Sequence, residues 1–126
     1  MRDLQYAELQ GATTLDATAT STGTVNVSGY DRLVFWVDYI LGDENFAVLT
    51  PKYLAVAGGD EHEHMEWSVA DAQLKTAKTF KLTASGKAYI VLDVKSVSQV
   101  KLYQNADGGT PTGTLQVSYT LLREST

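Results

Sequence analysis

The chain has 126 residues, a formal charge of −5, 44% apolar and 20% charged residues, and no cysteine. That length suits one domain, residues 1–126, burying roughly two thirds of its unfolded surface, and the composition excludes a disordered polymer. Without cysteine there is no disulfide, thiolate metal site or cysteine nucleophile, and an acidic chain lacks the basic face a nucleic-acid partner requires.

The first residues, MRDLQYAELQ, contain no apolar h-region, and no run of about eighteen apolar residues occurs anywhere, so neither a signal peptide nor a membrane span is expected. Residues 1–12 include a short strand near 4–9 and can serve as an N-terminal arm. From there the dominant period is two, the signature of strands. Strands are expected near 23–28, 32–40, 46–56, 62–69, 78–84, 87–94, 98–104 and 113–122, separated by Ser-Gly, Gly-Asp, Gly-Gly and Asp-Gly-Gly turn signals. The segment VADAQLK, Val69 to Lys75, reads either as two helical turns or as a loop. The last strand, TLQVSYTLL, turns Leu115, Val117, Tyr119 and Leu121 to the core and Gln116, Ser118 and Thr120 away, so an aspartate at Ser118 should be tolerated and one at Val117 should not. About eight antiparallel strands of this kind specify an all-β, antiparallel β-sandwich, jelly-roll-like.

The strand RLVFWVDYI is apolar on both faces. Leu33, Phe35, Val37 and Tyr39 take one side, while Val34, Trp36 and Ile40 take the other. A sandwich buries only the inner set. The outer set therefore needs a loop, the N-terminal arm or another subunit over it, and Val34, Trp36 and Ile40 are the candidate interface.

No set of residues proposes catalysis. In GGDEHEHMEW, His62, His64 and Glu66 share one strand face by period two, opposite Met65, Trp67 and Val69, and imidazole with carboxylate can ligate a divalent ion. The H-x-H resembles the start of a cupin metal site, but the later glutamate and third histidine are missing. A charged strand edge is the preferred reading, with no metal and no cofactor expected. Asp43-Glu44, Asp60-Glu61 and Glu63-Glu66 fall where solvated carboxylates are ordinary, and no serine-hydrolase, P-loop or dinucleotide motif occurs. Seven tyrosines and two tryptophans could stack on sugars, although both tryptophans lie in strongly apolar strands.

Charge is unevenly spread along the chain: residues 1–63 carry three cations against ten acids, and residues 64–126 carry seven against five. Either composition drifts, or oppositely charged patches of neighbouring copies meet.

VSGYDRLVFWVDYILGDENFAV, together with KTFKLTASGKAYIVLDVKSVSQVKLYQNADGGTPTGTLQVSYTLL, resembles the small β-sandwich auxiliary proteins of tailed-phage virions. The resemblance covers about half the chain. It implies a non-enzymatic virion protein made in the host cytoplasm, foremost a decoration (cement) protein that binds the major capsid protein and trimerises. A tail or head-tail connector component and a carbohydrate-binding module are the alternatives.

Overall fold

The computed structural model describes residues 2–75 and 78–124, with side chains throughout except at Arg2, Asp3, Glu66, Trp67, Leu74, Lys75 and Glu124. Eleven strands follow one another: β1 (Arg2–Thr14), β2 (Thr20–Asn26), β3 (Arg32–Ile40), β4 (Phe46–Leu54), β5 (Glu61–Glu63), β6 (Glu66–Ser68), β7 (Gln73–Lys75), β8 (Phe80–Leu82), β9 (Gly86–Asp93), β10 (Gln99–Asp107) and β11 (Thr114–Glu124). No helix occurs among the described residues.

Sheet A has the order β1-β11-β3-β9, and sheet B the order β2-β10-β4-β5 with β8 also on β4. Every pairing is antiparallel. The chain is an antiparallel ribbon folded back on itself: β1 runs against β11, β2 against β10, β3 against β9, and β4 against β5 and β8. Wrapping that ribbon once brings β11 beside β3 and β10 beside β4, which is the jelly-roll winding expected from the sequence.

Period two explains the core. The inner rows of sheet A supply Leu33, Phe35, Val37, Tyr39, Ile90, Leu92, Leu115, Val117 and Leu121, and those of sheet B supply Val25, Ala47, Leu49, Val100, Leu102 and Ala106, all buried. Leu15, in the crossing from β1 to β2, closes one end of this core, with its amide donating to the Gly113 carbonyl at 3.0 Å.

Three expectations change. The strand anticipated over 62–69 is two short ones: β5 pairs with β4, whereas β6 leaves the sandwich and, among the described residues, pairs only with β7. Met65 and Val69, expected in the core, are exposed because no sheet lies against them there, and the Trp67 side chain lies outside the described residues. The segment Val69 to Lys75 is a turn followed by β7, with Ala72 at φ 51°, a left-handed conformation that a helix excludes.

Glu44 is also unlike the solvated carboxylate its turn position suggests. It is 3% exposed and ties the β3–β4 loop to the residues before β11. The Tyr39 hydroxyl donates to Oε2 at 2.5 Å and the Gly42 amide to the same atom at 2.9 Å. The amides of Thr112 and Gly113 donate to Oε1 at 3.1 and 2.8 Å. Gly113 is required by proximity: a Cβ there would fall on Oε2 of Glu44 and on the Ile40 carbonyl oxygen. Burial alone would raise the Glu44 pKa, but the hydrogen bonds from Gly42, Tyr39 and Gly113 outweigh it and hold the value down at about 2. Burial, then the Glu44 hydrogen bond, pushes the Tyr39 phenol well above its usual range.

Candidate functional site

The outer face of sheet A is built by the alternate residues of four strands. One cross-strand row reads Tyr6, Thr120, Val34, Val91, and the next reads Glu8, Ser118, Trp36, Tyr89. Trp36 is 44% exposed, Tyr89 65% and Tyr6 70%; Ile40 and Val91 are exposed and Val34 is half-buried. The Trp36 and Tyr89 rings lie 5.6 Å apart at 42°, and the indole N–H donates to Thr120 Oγ1 at 2.8 Å, which fixes the indole against the sheet. Polar groups border the apolar centre: Lys87 meets Asp38 at 3.6 Å, and the Gln116 amide donates to Glu8 at 3.1 Å.

All three sequence-derived interface residues, Val34, Trp36 and Ile40, thus stand on one open face. β1 lies in the plane of the sheet as its edge strand rather than across that face. Sequence reasoning missed Tyr6, Tyr89 and Val91. The signal was present in AYIVLDV, which is apolar on both faces like β3, so its outward Tyr89 and Val91 extend the same patch. Ser118 also points outward but is 6% exposed between Glu8 and Trp36, so an aspartate there displaces packed neighbours and is not the mild change its face suggests.

The outer face of sheet B is different in kind. Tyr103 donates to Glu61 at 2.6 Å, Lys101 contacts Glu61 at 3.2 Å, and Lys52 contacts Glu63 at 2.8 Å. The Glu61 carboxyl is held below its ordinary range, first by the Tyr103 hydroxyl and also by Lys101. These exposed pairs contribute little stability but make the face polar.

The jelly-roll winding also redistributes the charge imbalance. First-half and second-half strands alternate across sheet A, and cations of the second half meet acids of the first, as Lys87 does with Asp38 and Lys101 with Glu61. The acidic and basic halves of the sequence therefore do not form separate halves of the molecule.

His62 stands on β5 opposite Tyr53 and is exposed. His64 follows the end of β5, half-buried, with Nδ1 2.9 Å from the Tyr53 hydroxyl and the two rings 5.7 Å apart. The regular strand face that would align these histidines with Glu66 is broken at residues 64 and 65, and the Glu66 side chain lies outside the described residues. Among the described residues no group of three His, Cys, Asp or Glu side chains could hold a metal ion. Calorimetric titration with zinc or manganese is expected to show no tight stoichiometric site; a tight ion lost on His64→Ala would revive the metal reading.

No protein-family model matches this chain, and no curated protein does. Solved structures do. The SPBc2 prophage-derived protein YomS superposes with a TM-score of 0.60 at 13% identity, covering 97% of this chain and 95% of its own. The PBSX exported protein XepA gives 0.59 at 16% identity, covering 96% of this chain and 38% of XepA. The infectious bursal disease virus VP2 subviral particle gives 0.53 at 10% identity, covering 98% of this chain and 33% of that one. What is shared is the fold. A shared fold does not carry function with it, so the outer face of sheet A is judged by its own chemistry.

Proposed function

We propose that this is a non-enzymatic virion structural protein, a decoration protein that binds the major capsid protein of a phage head and stabilises it. The observation that carries the reading is the outer face of sheet A, where Val34, Trp36 and Ile40 stand with Tyr6 and Tyr89 in an open aromatic and aliphatic patch bordered by polar groups. An interface core needs such anchors with a hydratable rim. The protein acts as a homotrimer whose subunits meet through the apolar part of this face, so the patch governs capsid binding by assembling the trimer that docks. The fold shared with a prophage-derived protein and with the VP2 subviral particle of a virus supports a viral structural setting, as does the resemblance to phage auxiliary proteins. A place in the tail or head-tail connector would use the same face.

Incubating the protein with undecorated capsids tests this. Trp36→Ala is expected to weaken capsid binding at least about tenfold, the effect of losing an aromatic anchor. The isolated variant should keep its fold, because the indole is 44% exposed. Binding that ignores Trp36, or no binding at all, would overturn the reading.

A second reading draws on the same rings. Exposed Tyr6, Trp36 and Tyr89 on a flat sheet, with Asp38, Lys87 and Gln116 beside them, could stack on and hydrogen-bond a sugar. A monomer that ignores capsids but binds a polysaccharide through Trp36 would replace the decoration reading with that one.

A further inference from the structure

A sheet edge offers backbone donors and acceptors to any strand that fits, and proteins normally guard such edges with bulges, short strands, proline or charged residues, the last of which repel a like strand only where equal charges meet. Three of the four edge positions here are guarded. β1 has register shifts between Glu8 and Gln10 and between Gln10 and Thr13. The pairing of β2 with β10 shifts between Lys101 and Tyr103. On the far side of sheet B, β5 and β8 have three residues each. β9 is different: eight residues, no proline, an unbroken register against β3 from Arg32↔Asp93 to Tyr39↔Gly86, and edge charges of opposite sign, Lys87 near one end and Asp93 at the other. Among the described residues no strand pairs with its other side.

The direction of its free groups can be read from one bond. The Val94 amide donates to the Asp31 carbonyl, one step beyond the Arg32↔Asp93 pair. In an antiparallel ladder the hydrogen-bonded residues alternate, so Leu92, Ile90 and Ala88 face β3 with their amides and carbonyls. Lys87, Tyr89, Val91 and Asp93 turn theirs to the open edge. These four also point their side chains to the outer face of sheet A.

We infer that β9 is a self-pairing edge, joining the β9 strand of a second copy antiparallel across a two-fold axis at Ile90. In that register Tyr89 lies opposite the partner's Val91, and Lys87 opposite the partner's Asp93, each contact occurring twice. All four seam residues are hydrogen-bonding positions, as the ladder requires. Aromatic against β-branched and lysine against aspartate are favourable cross-strand pairs. The neighbouring allowed registers fit worse: a two-fold at Val91 sets Lys87 against the partner's Lys95, and one at Tyr89 leaves Asp93 opposite the partner's Ser85. Lys87 is available for the contact, since its side chain is 84% exposed despite the 3.6 Å approach to Asp38. The result is an eight-stranded sheet running through two molecules, with the two Trp36–Tyr89 patches adjacent on one face. The contact is isologous, so it links two trimers, or two monomers, using Tyr89 and Val91 at the rim of the apolar face and leaving Val34, Trp36 and Ile40 free for the other contact.

The absence of cysteine makes the register directly testable. Opposed residues of a hydrogen-bonded pair have Cα atoms about 5.5 Å apart, within disulfide reach. Tyr89→Cys and Val91→Cys, mixed and oxidised, are expected to give a disulfide-linked heterodimer as the dominant product, with much less cross-linking from either variant alone. Adding Val91→Pro to the Tyr89→Cys chain and Tyr89→Pro to the Val91→Cys chain removes edge donors while sparing the β3–β9 bonds, and should abolish the heterodimer with the fold kept by circular dichroism. Equal cross-linking by each variant alone, or none from the mixture at high concentration, would overturn the proposal. It does not rest on the virion reading: chains that cross-link yet ignore capsids would remove that reading and leave this one, and capsid binding without cross-linking would do the reverse.

Discussion

Replacing Glu44 with alanine is expected to destabilise the fold by about 4 kcal/mol, because it strips the acceptor from one hydroxyl and three backbone amides at once. The loss should appear as a lower midpoint in urea with an unchanged slope. Glu44→Gln keeps one carbonyl acceptor but turns an amide toward remaining donors, so it should recover only part of the difference. The same carboxylate gives the fold an acid-sensitive component. Its folded-state pKa of about 2 lies below the ordinary value of 4.5, so its stabilisation is fully present above pH 4.5 and is lost as pH falls from there toward 2. Glu44 is almost fully buried, so the shift converts with little screening, and the contribution is on the order of 3 kcal/mol. Urea midpoints measured at pH 6 and pH 3 should therefore differ in the parent chain and differ less in Glu44→Gln; an equal drop in both would show that other groups carry the acid response.

Val117→Asp should be as severe. Val117 is fully buried in the inner row of sheet A, and a carboxylate there has no partner among the surrounding core side chains. The expected cost is about 4 kcal/mol or more, through burial of an unpaired charge or the raised pKa that neutralises it. The matched control is Val91→Asp, on the exposed outer face of β9, where the same change should cost about 1 kcal/mol or less. Thermal melts of the two variants side by side, at dilutions that keep the protein monomeric, check the assignment of faces. Comparable losses would mean that the outer face of sheet A is buried in the free protein.

Local alternation was enough to locate β3 to the residue and the other long strands to within about three residues, because a half-buried strand writes its two faces into the sequence every second position; β1 is the exception, a strand of 13 residues where only 4–9 was expected. It failed between His62 and Lys75 for a related reason. Met65, Trp67 and Val69 alternate as a core row would, yet the chain leaves the sandwich at residues 64 and 65, and alternation cannot say whether a sheet exists for a row to face. The jelly-roll order itself depends on pairings between distant segments, such as β1 with β11, that no window of sequence contains; composition and turn spacing narrowed it to a class. Of the candidate site, the outward placement of Val34, Trp36 and Ile40 was legible because period two divides a strand apolar on both sides into an inner and an outer row. Glu44 was not. Its neighbours Thr112 and Gly113 are nearly seventy positions away, and a buried carboxylate in a turn reads like any solvated one until its donors are brought to it.

The place of β11 in sheet A has a consequence in time. It lies between β1 and β3, so the first strand of the chain reaches the rest of its sheet only through the last. Until β11 arrives, β1 has no lateral partner, β3 has one bare side, and both expose apolar rows to whatever is near. Pairings this distant close large loops before any contact rewards them, which places folding in the slow range of milliseconds to seconds. During synthesis, sheet A must therefore stay incomplete until its final strand leaves the ribosome. A chain with its last ten residues held back should remain unfolded rather than half-folded, and it would be a better client for chaperones than the finished molecule.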